Sequence, residues 1–169
     1  LQNSCSINVG PDPSFSKIID VNNLRFDYVK VCVLEGAPAN VAEINSLLLH
    51  CIKNNIVMLF IARSFPEEVI NTLAVNWKAN RLRVLPIVYG EKIENINAHA
   101  DVASISDAHV ISALKGSRIE KDIIEGFGTL TDVKITGGKI FATPSKIPTV
   151  LKNNINERLK NLDWTDAEQ

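Results

Sequence analysis

Short apolar runs alternate with stretches of helical apolar periodicity along most of this chain. Four runs, rich in β-branched or aromatic residues, predict strands at residues 28–34, 56–62, 83–89 and 109–112. In the segments that follow the first two runs, apolar residues recur every three or four positions, which predicts amphipathic helices. Strands that alternate with helices at this spacing predict an α/β domain with a mostly parallel sheet and crossover helices.

Polar residues mark the starts of the first two crossover helices. Asn40 stands three residues before Glu43, which is the spacing of a capping box, and its helix is predicted to run to about Lys53. The second helix lies within the segment SFPEEVINTLAVNWKA, where Ser64 is the expected N-cap and Pro66 fits the first turn.

The remaining segments have weaker signals. Residues 1–27 are rich in turn formers and are predicted to be irregular, and a further helix is predicted over roughly residues 92–103. The segment DVKITGGKIFAT, residues 132–143, predicts a small β-hairpin around its Gly-Gly dipeptide. Apolar residues at helical spacing predict a C-terminal helix over about residues 147–162. The whole chain, 1–169, is expected to form a single domain.

Composition and charge give no support to two classes of partner. Lysine and arginine number 18 against 19 aspartates and glutamates, so the charge favours neither nucleic acid nor an anionic membrane as a partner. The three cysteines form no Cys-x-x-Cys motif, which favours a reducing, cytoplasmic location. The sequence begins with Leu1 rather than methionine, which suggests a piece cut from a longer protein.

No arrangement of residues predicts catalysis or metal binding. His50 and Cys51 are neighbours on a helix and therefore point about 100° apart, so they cannot act together as base and nucleophile. His99 and His109 lack the spacing of metal ligands. The Gly-Phe-Gly at residues 126–128 lacks the third glycine and the preceding strand of a phosphate-binding loop.

The two crossover helices carry more apolar residues than one core-facing stripe requires. On the second helix, one stripe accounts for Val69, Leu73 and Trp77, and further apolar residues lie on or beyond its edge: Ile70, Ala74 and Val75. The first helix has a similar surplus, which includes Leu48, Leu49 and Ile52. Asn45 lies between the two apolar sectors of this helix. Because consecutive right-handed crossovers lie side by side, the two surpluses can border one groove.

Several hypotheses explain this surplus. Another element of the domain can cover it, it can form a permanent interface between subunits, or it can be an open groove that binds extended or helical peptides. A different function, as a small-molecule-binding α/β domain or enzyme, would place the site at the carboxyl ends of the strands near Glu35, Arg63 and Tyr89.

The segment NNIVMLFIARSFPEEVINTLAVN, residues 54–76, resembles the apical-domain segment of group I (GroEL-like) chaperonins, in which a strand leads into a groove helix. Four further segments resemble the same domain in the same order: GPDPSF, VKVCVLEG, IEGFGTLTDVKITGGKIFAT and INERLKNL. By this resemblance the chain is a single apical, polypeptide-binding domain, a fragment of a divergent chaperonin of the kind that a virus could encode.

The resemblance implies that the domain captures non-native polypeptides in the groove between its two crossover helices. A co-chaperonin loop would bind the same groove, and other subunits would complete a ring. ATP and magnesium would bind in an equatorial domain of the parent ATPase, so this fragment itself is expected to have no catalytic residue and no cofactor. The polypeptide-binding residues carried over by the resemblance are Phe15, Asn45, Leu48, Leu49, Ile52, Ile70, Ala74, Val75 and Asn76.

The sequence also departs from the pattern of that family. Asn45 stands where the family has a leucine, Ser14 replaces a tyrosine, and Gly10 falls near another missing aromatic residue. These substitutions make both the groove and the segment beneath it less apolar than the resemblance alone implies.

Overall fold

The computed structural model describes residues 5–90, 98–112, 126–136 and 138–144. The elements within these ranges are β1 (Cys5–Ile7), β2 (Gly10–Pro11), α1 (Pro13–Ile18), β3 (Leu24–Glu35), α2 (Val41–Asn54), β4 (Val57–Ala62), α3 (Glu67–Lys78), β5 (Arg83–Val88), α4 (Ala98–Ser106), β6 (Val110–Ser112), β7 (Gly128–Thr136) and β8 (Lys139–Pro144). No helix in this part of the chain is long and apolar enough to span a bilayer.

The described strands form one mixed sheet in the order β1-β8-β7-β3-β4-β5-β2, and β6 also pairs with β3. Parallel pairing joins β3 to β4, β4 to β5 and β3 to β6. Antiparallel pairing joins β1 to β8, β8 to β7, β7 to β3 and β2 to β5. The prediction of a mostly parallel sheet is therefore wrong. The crossover helices produce only the β3-β4-β5 core, and the N-terminal segment and the C-terminal hairpin extend it with antiparallel strands.

Strand β3 begins earlier than the apolar run that predicted it. Its first residues alternate between the partly buried Leu24 and Phe26 and the exposed Arg25 and Asp27, which is the pattern of a half-buried antiparallel strand. This half of β3 pairs with β7, whereas its last residues pair with β4 and β6. The prediction that residues 1–27 are irregular is wrong, because they also contain β1, β2 and α1.

The first strands show that the sheet is strongly curled. β1 pairs with β8 at one edge of the sheet and β2 pairs with β5 at the other, yet only the two residues between Ile7 and Gly10 connect them. Three residue steps span at most about 11 Å, so the two edges come together. Gly10 lies at this junction, where an added Cβ would be 2.9 Å from Cα of Gly138.

Helices cover both faces of the sheet. The two crossovers from β3 to β4 and from β4 to β5 run in one direction, so right-handed connections place α2 and α3 on the same face. The path from β5 back to β6 reverses direction, which places α4 on the opposite face, against β3 and β7. Strands β4 and β5 between these layers are almost entirely buried.

The caps of α2 and α3 differ. The prediction for α2 is confirmed: the Asn40 Oδ1 accepts a hydrogen bond of 3.1 Å from the Glu43 N–H, and Glu43 Oε2 accepts one of 2.7 Å from the Ala39 N–H. The prediction that Ser64 caps α3 is wrong. Pro66 occupies the N-cap position, and no side chain donates or accepts a capping hydrogen bond there.

The other predicted elements have mixed outcomes. The hairpin is confirmed, with Gly138 at φ 74° in its turn, but β7 begins at Gly128 rather than at residue 132. The short strand β6 is confirmed. The helix predicted over roughly residues 92–103 is confirmed from Ala98 onward as α4, which continues to Ser106, and residues 92–97 lie outside the described residues. The helix predicted over residues 147–162 lies outside the described residues.

The two cap positions make a matched pair for measurement. Asn40→Ala removes a side-chain cap and is expected to lower the free energy of unfolding by about 1 kcal/mol. Ser64→Ala removes no capping bond and is expected to change it by less than about 0.5 kcal/mol. Urea denaturation followed by circular dichroism measures both, and equal effects would contradict the assignment of the caps.

The contact between the two glycines also makes a prediction. Gly10→Ala would push Cβ against the backbone of Gly138, which no side-chain rotation can relieve, and is expected to lower the free energy of unfolding by about 1–3 kcal/mol. The urea midpoint should fall with an unchanged slope. An unchanged midpoint would show that the two edges of the sheet are not held this close.

Candidate functional site

Helices α2 and α3 lie side by side and point the same way, because each leads from one parallel strand to the next. With right-handed crossovers, the flank of α2 that carries Leu48 and Ile52 turns toward α3. The opposite flank of α2 faces β7, where the His50 ring lies 5.6 Å from the ring of Phe127. By the same geometry, the flank of α3 that carries Asn76 faces α2. We call the surface between these two flanks the groove.

Exposed aliphatic side chains lie along the crests of this groove. Leu49 and Ile52 on α2 are 56% and 40% exposed, and Val75 on α3 is 66% exposed. Leu48 is buried and forms part of the floor. Asn45 is exposed on α2, so the amide occupies the solvent-facing side of the groove.

Two of the predicted contact residues are not on this open surface. Ile70 and Ala74 are each only 1% exposed. Ala74 lies about 200° around α3 from Asn76, so it faces away from α2, on the side where α1 packs against α3. In this structure these side chains stabilise the domain rather than present area to a ligand, and their role in binding stays a prediction.

Phe15 supports helix α3, which forms one wall of the groove. The side chain of Asp12 caps α1 by accepting hydrogen bonds from the N–H groups of Ser14 at 2.8 Å and of Phe15 at 3.2 Å. The Phe15 ring is fully buried and lies edge-on to the ring of Trp77 on α3, with their centroids 5.7 Å apart. Phe15 therefore fixes the position of α3, a role that its place in the sequence did not reveal.

The polar residues of the groove flank on α3 bond to their own helix. The Thr72 hydroxyl donates to the Glu68 carbonyl at 2.9 Å, and the Asn76 amide Nδ2 donates to the Thr72 carbonyl at 2.8 Å. The Asn76 side chain keeps its amide oxygen and a second amide hydrogen with which it could contact a ligand. Thr72 was missed by the sequence analysis, although its position one turn before Asn76 places it on the same flank.

The alternative site at the strand ends contains a structural brace. The buried Tyr89 hydroxyl donates to the Leu34 carbonyl at 3.0 Å and accepts from the Gly36 N–H at 3.0 Å. Burial raises the pKa of Tyr89, and the Glu35 carboxylate also raises it, whereas the bond from Gly36 and the Arg63 charge lower it. The hydroxyl therefore keeps its proton and holds the loop that leads into α2.

The buried thiols show no sign of reactivity. Burial raises the pKa of Cys51 to about 12, and burial together with the neighbouring Cys51 raises that of Cys32. The Cys51 sulfur lies 4.0 Å from that of Met58, as a packing contact within the core. Within the described ranges, no group of three or more histidine, cysteine or acidic side chains could hold a metal ion.

The fold is chaperonin-like, as comparison with solved structures shows. No protein-family model matches the chain. The chaperonin gp146 from the bacteriophage EL 2 (Pseudomonas aeruginosa), crystallised in the presence of ATP-BeFx, matches 97% of this chain with a TM-score of 0.65 and 15% identity. An open-state monomer of a group II chaperonin from Methanococcoides burtonii matches 95% with a TM-score of 0.42 and 10% identity. This chain spans 34% and 39% of those two chains, respectively.

The brace at Tyr89 can be tested with the second tyrosine of the chain as its control. Tyr89→Phe preserves the ring but leaves the buried Leu34 carbonyl and Gly36 N–H without this partner, so the free energy of unfolding is expected to fall by about 1–3 kcal/mol. Tyr28 is exposed, and Tyr28→Phe is expected to change it by less than about 0.5 kcal/mol. Equal effects in urea denaturation would contradict the brace.

Proposed function

We propose that this chain is the apical, polypeptide-binding domain of a group I-like chaperonin and that it captures non-native polypeptides in the groove between α2 and α3. The observation that carries this proposal is the exposure of three large aliphatic side chains on two neighbouring helices: Leu49, Ile52 and Val75. Apolar side chains grouped on one side of a monomer favour binding of other apolar chains. The chaperonin-like fold supports the same function.

The groove suits weak binding of many different chains. Burial of one aliphatic side chain contributes about 1.5–3 kcal/mol before the cost of ordering the ligand, so two or three anchors give roughly micromolar affinity at one site. A ring of such domains would bind one non-native chain at several sites and gain affinity through avidity. The exposed anchors have only aliphatic chemistry, which places few demands on the sequence of a client.

The remaining activities belong to the longer protein that this proposal implies. The chain spans 34% of the bacteriophage chaperonin chain that it resembles in fold. We expect ATP and magnesium to bind in an equatorial domain outside this segment, in a cytoplasmic ring that also engages a co-chaperonin. This domain would then act as a binding module and not as an enzyme.

The strand-end hypothesis has less support. It requires the Tyr89 hydroxyl to take part in ligand chemistry, but that group donates its only proton to the Leu34 carbonyl. Arg63 also belongs to this region, where its N–H donates to the Gly36 carbonyl at 2.8 Å. The region therefore joins the strand ends to the loop that leads into α2, which is a structural role.

The groove can be tested by removing one exposed anchor and comparing it with another exposed valine. Val75→Ser is expected to weaken binding of a fluorescein-labelled, unstructured apolar peptide about tenfold, because it removes roughly 1–1.5 kcal/mol of apolar burial. Val110→Ser, on β6, is expected to leave the dissociation constant unchanged. Fluorescence anisotropy measures both values.

Two results would contradict the proposal. One is equal peptide binding by wild type and Val75→Ser, with thermal unfolding showing both proteins folded. The other is a chain that sediments as a dimer at all concentrations and dissociates when Val75 is replaced, because the aliphatic surface would then be a permanent subunit interface.

A further inference from the structure

The two ends of the α2–α3 groove differ in charge. Because the helices are parallel, their N-termini share one end, where Glu67 and Glu68 lie in the first turn of α3. Their C-termini share the other end, with Lys53 in the last turn of α2 and Lys78 in the last turn of α3. We call the second end the basic end and define it by five residues: Lys30, Lys53, Lys78, Arg81 and Arg83.

The register of the sheet places Lys30 at this end. Lys30 pairs with Met58, near the start of β4, and Met58 pairs with Val84, near the start of β5. Lys30 also faces the helices, because directly paired residues on neighbouring strands share a face and the sulfur of its partner Met58 lies 4.0 Å from that of Cys51 on α2.

Two of these cations are held over aromatic rings. The Lys30 Nζ lies 5.6 Å from the ring centre of Tyr28, which is exposed. The Arg83 guanidinium lies 4.9 Å from the ring centre of Trp77 and donates a hydrogen bond to Asn80 Oδ1. These contacts position both charges and reduce the entropy that they would lose on binding an anion.

Compensation of the helix dipoles accounts for only part of this charge. Each helix C-terminus carries about half a negative charge, so two helices offset about one of the five cations. Neither Arg81 nor Arg83 belongs to a helix. From residue 44 to residue 90 the only acidic residues are Glu67 and Glu68, at the opposite end of α3. At the C-terminal end of the two helices, the positive charge of these residues therefore exceeds what the helix dipoles compensate.

We propose that the groove prefers polypeptide segments in which acidic residues flank an apolar core, with the carboxylates at the basic end. This inference rests on the proposed function of the groove. Helix α3 has 12 residues and is about 18 Å long, so an extended segment of five or six residues covers it. One short segment can therefore contact both the aliphatic crest and the basic end. Nucleic acid is a poorer candidate, because the chain as a whole carries a net charge of −1.

The test uses three labelled peptides with one common apolar core, flanked at one end by two aspartates, two serines or two lysines. At low ionic strength, the aspartate-flanked peptide is expected to bind the 169-residue chain about three- to tenfold more tightly than the serine-flanked peptide, and the lysine-flanked peptide more weakly than either. The preference should shrink at 0.5 M salt, where the Debye length falls to about 4 Å.

A pair of double variants locates the effect. Lys53→Gln/Lys78→Gln is expected to lose most of the preference for aspartate over serine. Lys17→Gln/Lys139→Gln changes the net charge equally at exposed lysines on α1 and β8, and is expected to retain it. Equal behaviour of the two double variants would overturn the proposal, since the preference would then reflect net charge and not the basic end.

The outcomes separate this inference from the proposed function. If the serine-flanked peptide binds and Val75→Ser weakens it, but aspartates add nothing, the groove stands and the charge preference is wrong. If only the aspartate-flanked peptide binds and Val75→Ser has no effect, both proposals fail, because the peptide is then not seated in the groove. A single-stranded oligonucleotide that binds the basic end more tightly than the aspartate-flanked peptide would also overturn the inference, in favour of a nucleic-acid site.

Discussion

The connection of both sheet edges by the first strands is the constraint on which the position of the groove depends. β1 pairs with one edge and β2 with the other, and the short link between them requires a curled sheet. The chain passes directly from β2 to Asp12, which caps α1 and fixes Phe15 under Trp77. The position of helix α3 therefore depends on strand pairing at the edge of the sheet. Gly10 permits this close approach because it has no Cβ, which would lie 2.9 Å from the Cα of Gly138.

The two walls of the groove are fixed by different interactions. Helix α3 is held along one flank by α1, which buries Ile70 and Ala74 and leaves Val75 on the open crest. Helix α2 is held at its N-terminus, where Tyr89 braces the preceding loop and Asn40 caps the first turn. The two supports lie on opposite sides of the groove, so neither covers the exposed aliphatic side chains between them. The open surface is thus a consequence of how each helix is anchored.

Sequence reasoning succeeded where the signals are local. The cap at Asn40, the parallel β3-β4-β5 core and the hairpin depend on short-range patterns, and each is present. It failed where pairing is remote, as for the first half of β3, whose partner β7 lies about a hundred residues away. The burial of Ile70 and Ala74 could not be predicted either, because helical angles show which residues share a flank but not whether α1 covers that flank.

The glycine at position 10, near which the family pattern has an aromatic residue, has a physical reason. An aromatic side chain at position 10 would collide with the backbone of Gly138, and the aromatic ring retained at Phe15 is buried against Trp77. The segment beneath the groove therefore offers no exposed aromatic ring among its described residues, and Asn45 makes the α2 wall more polar. Apolar burial at such a groove comes mainly from three aliphatic crests. In the function that we propose, this smaller apolar contribution would give the charges beside the groove a larger share in determining which segments bind.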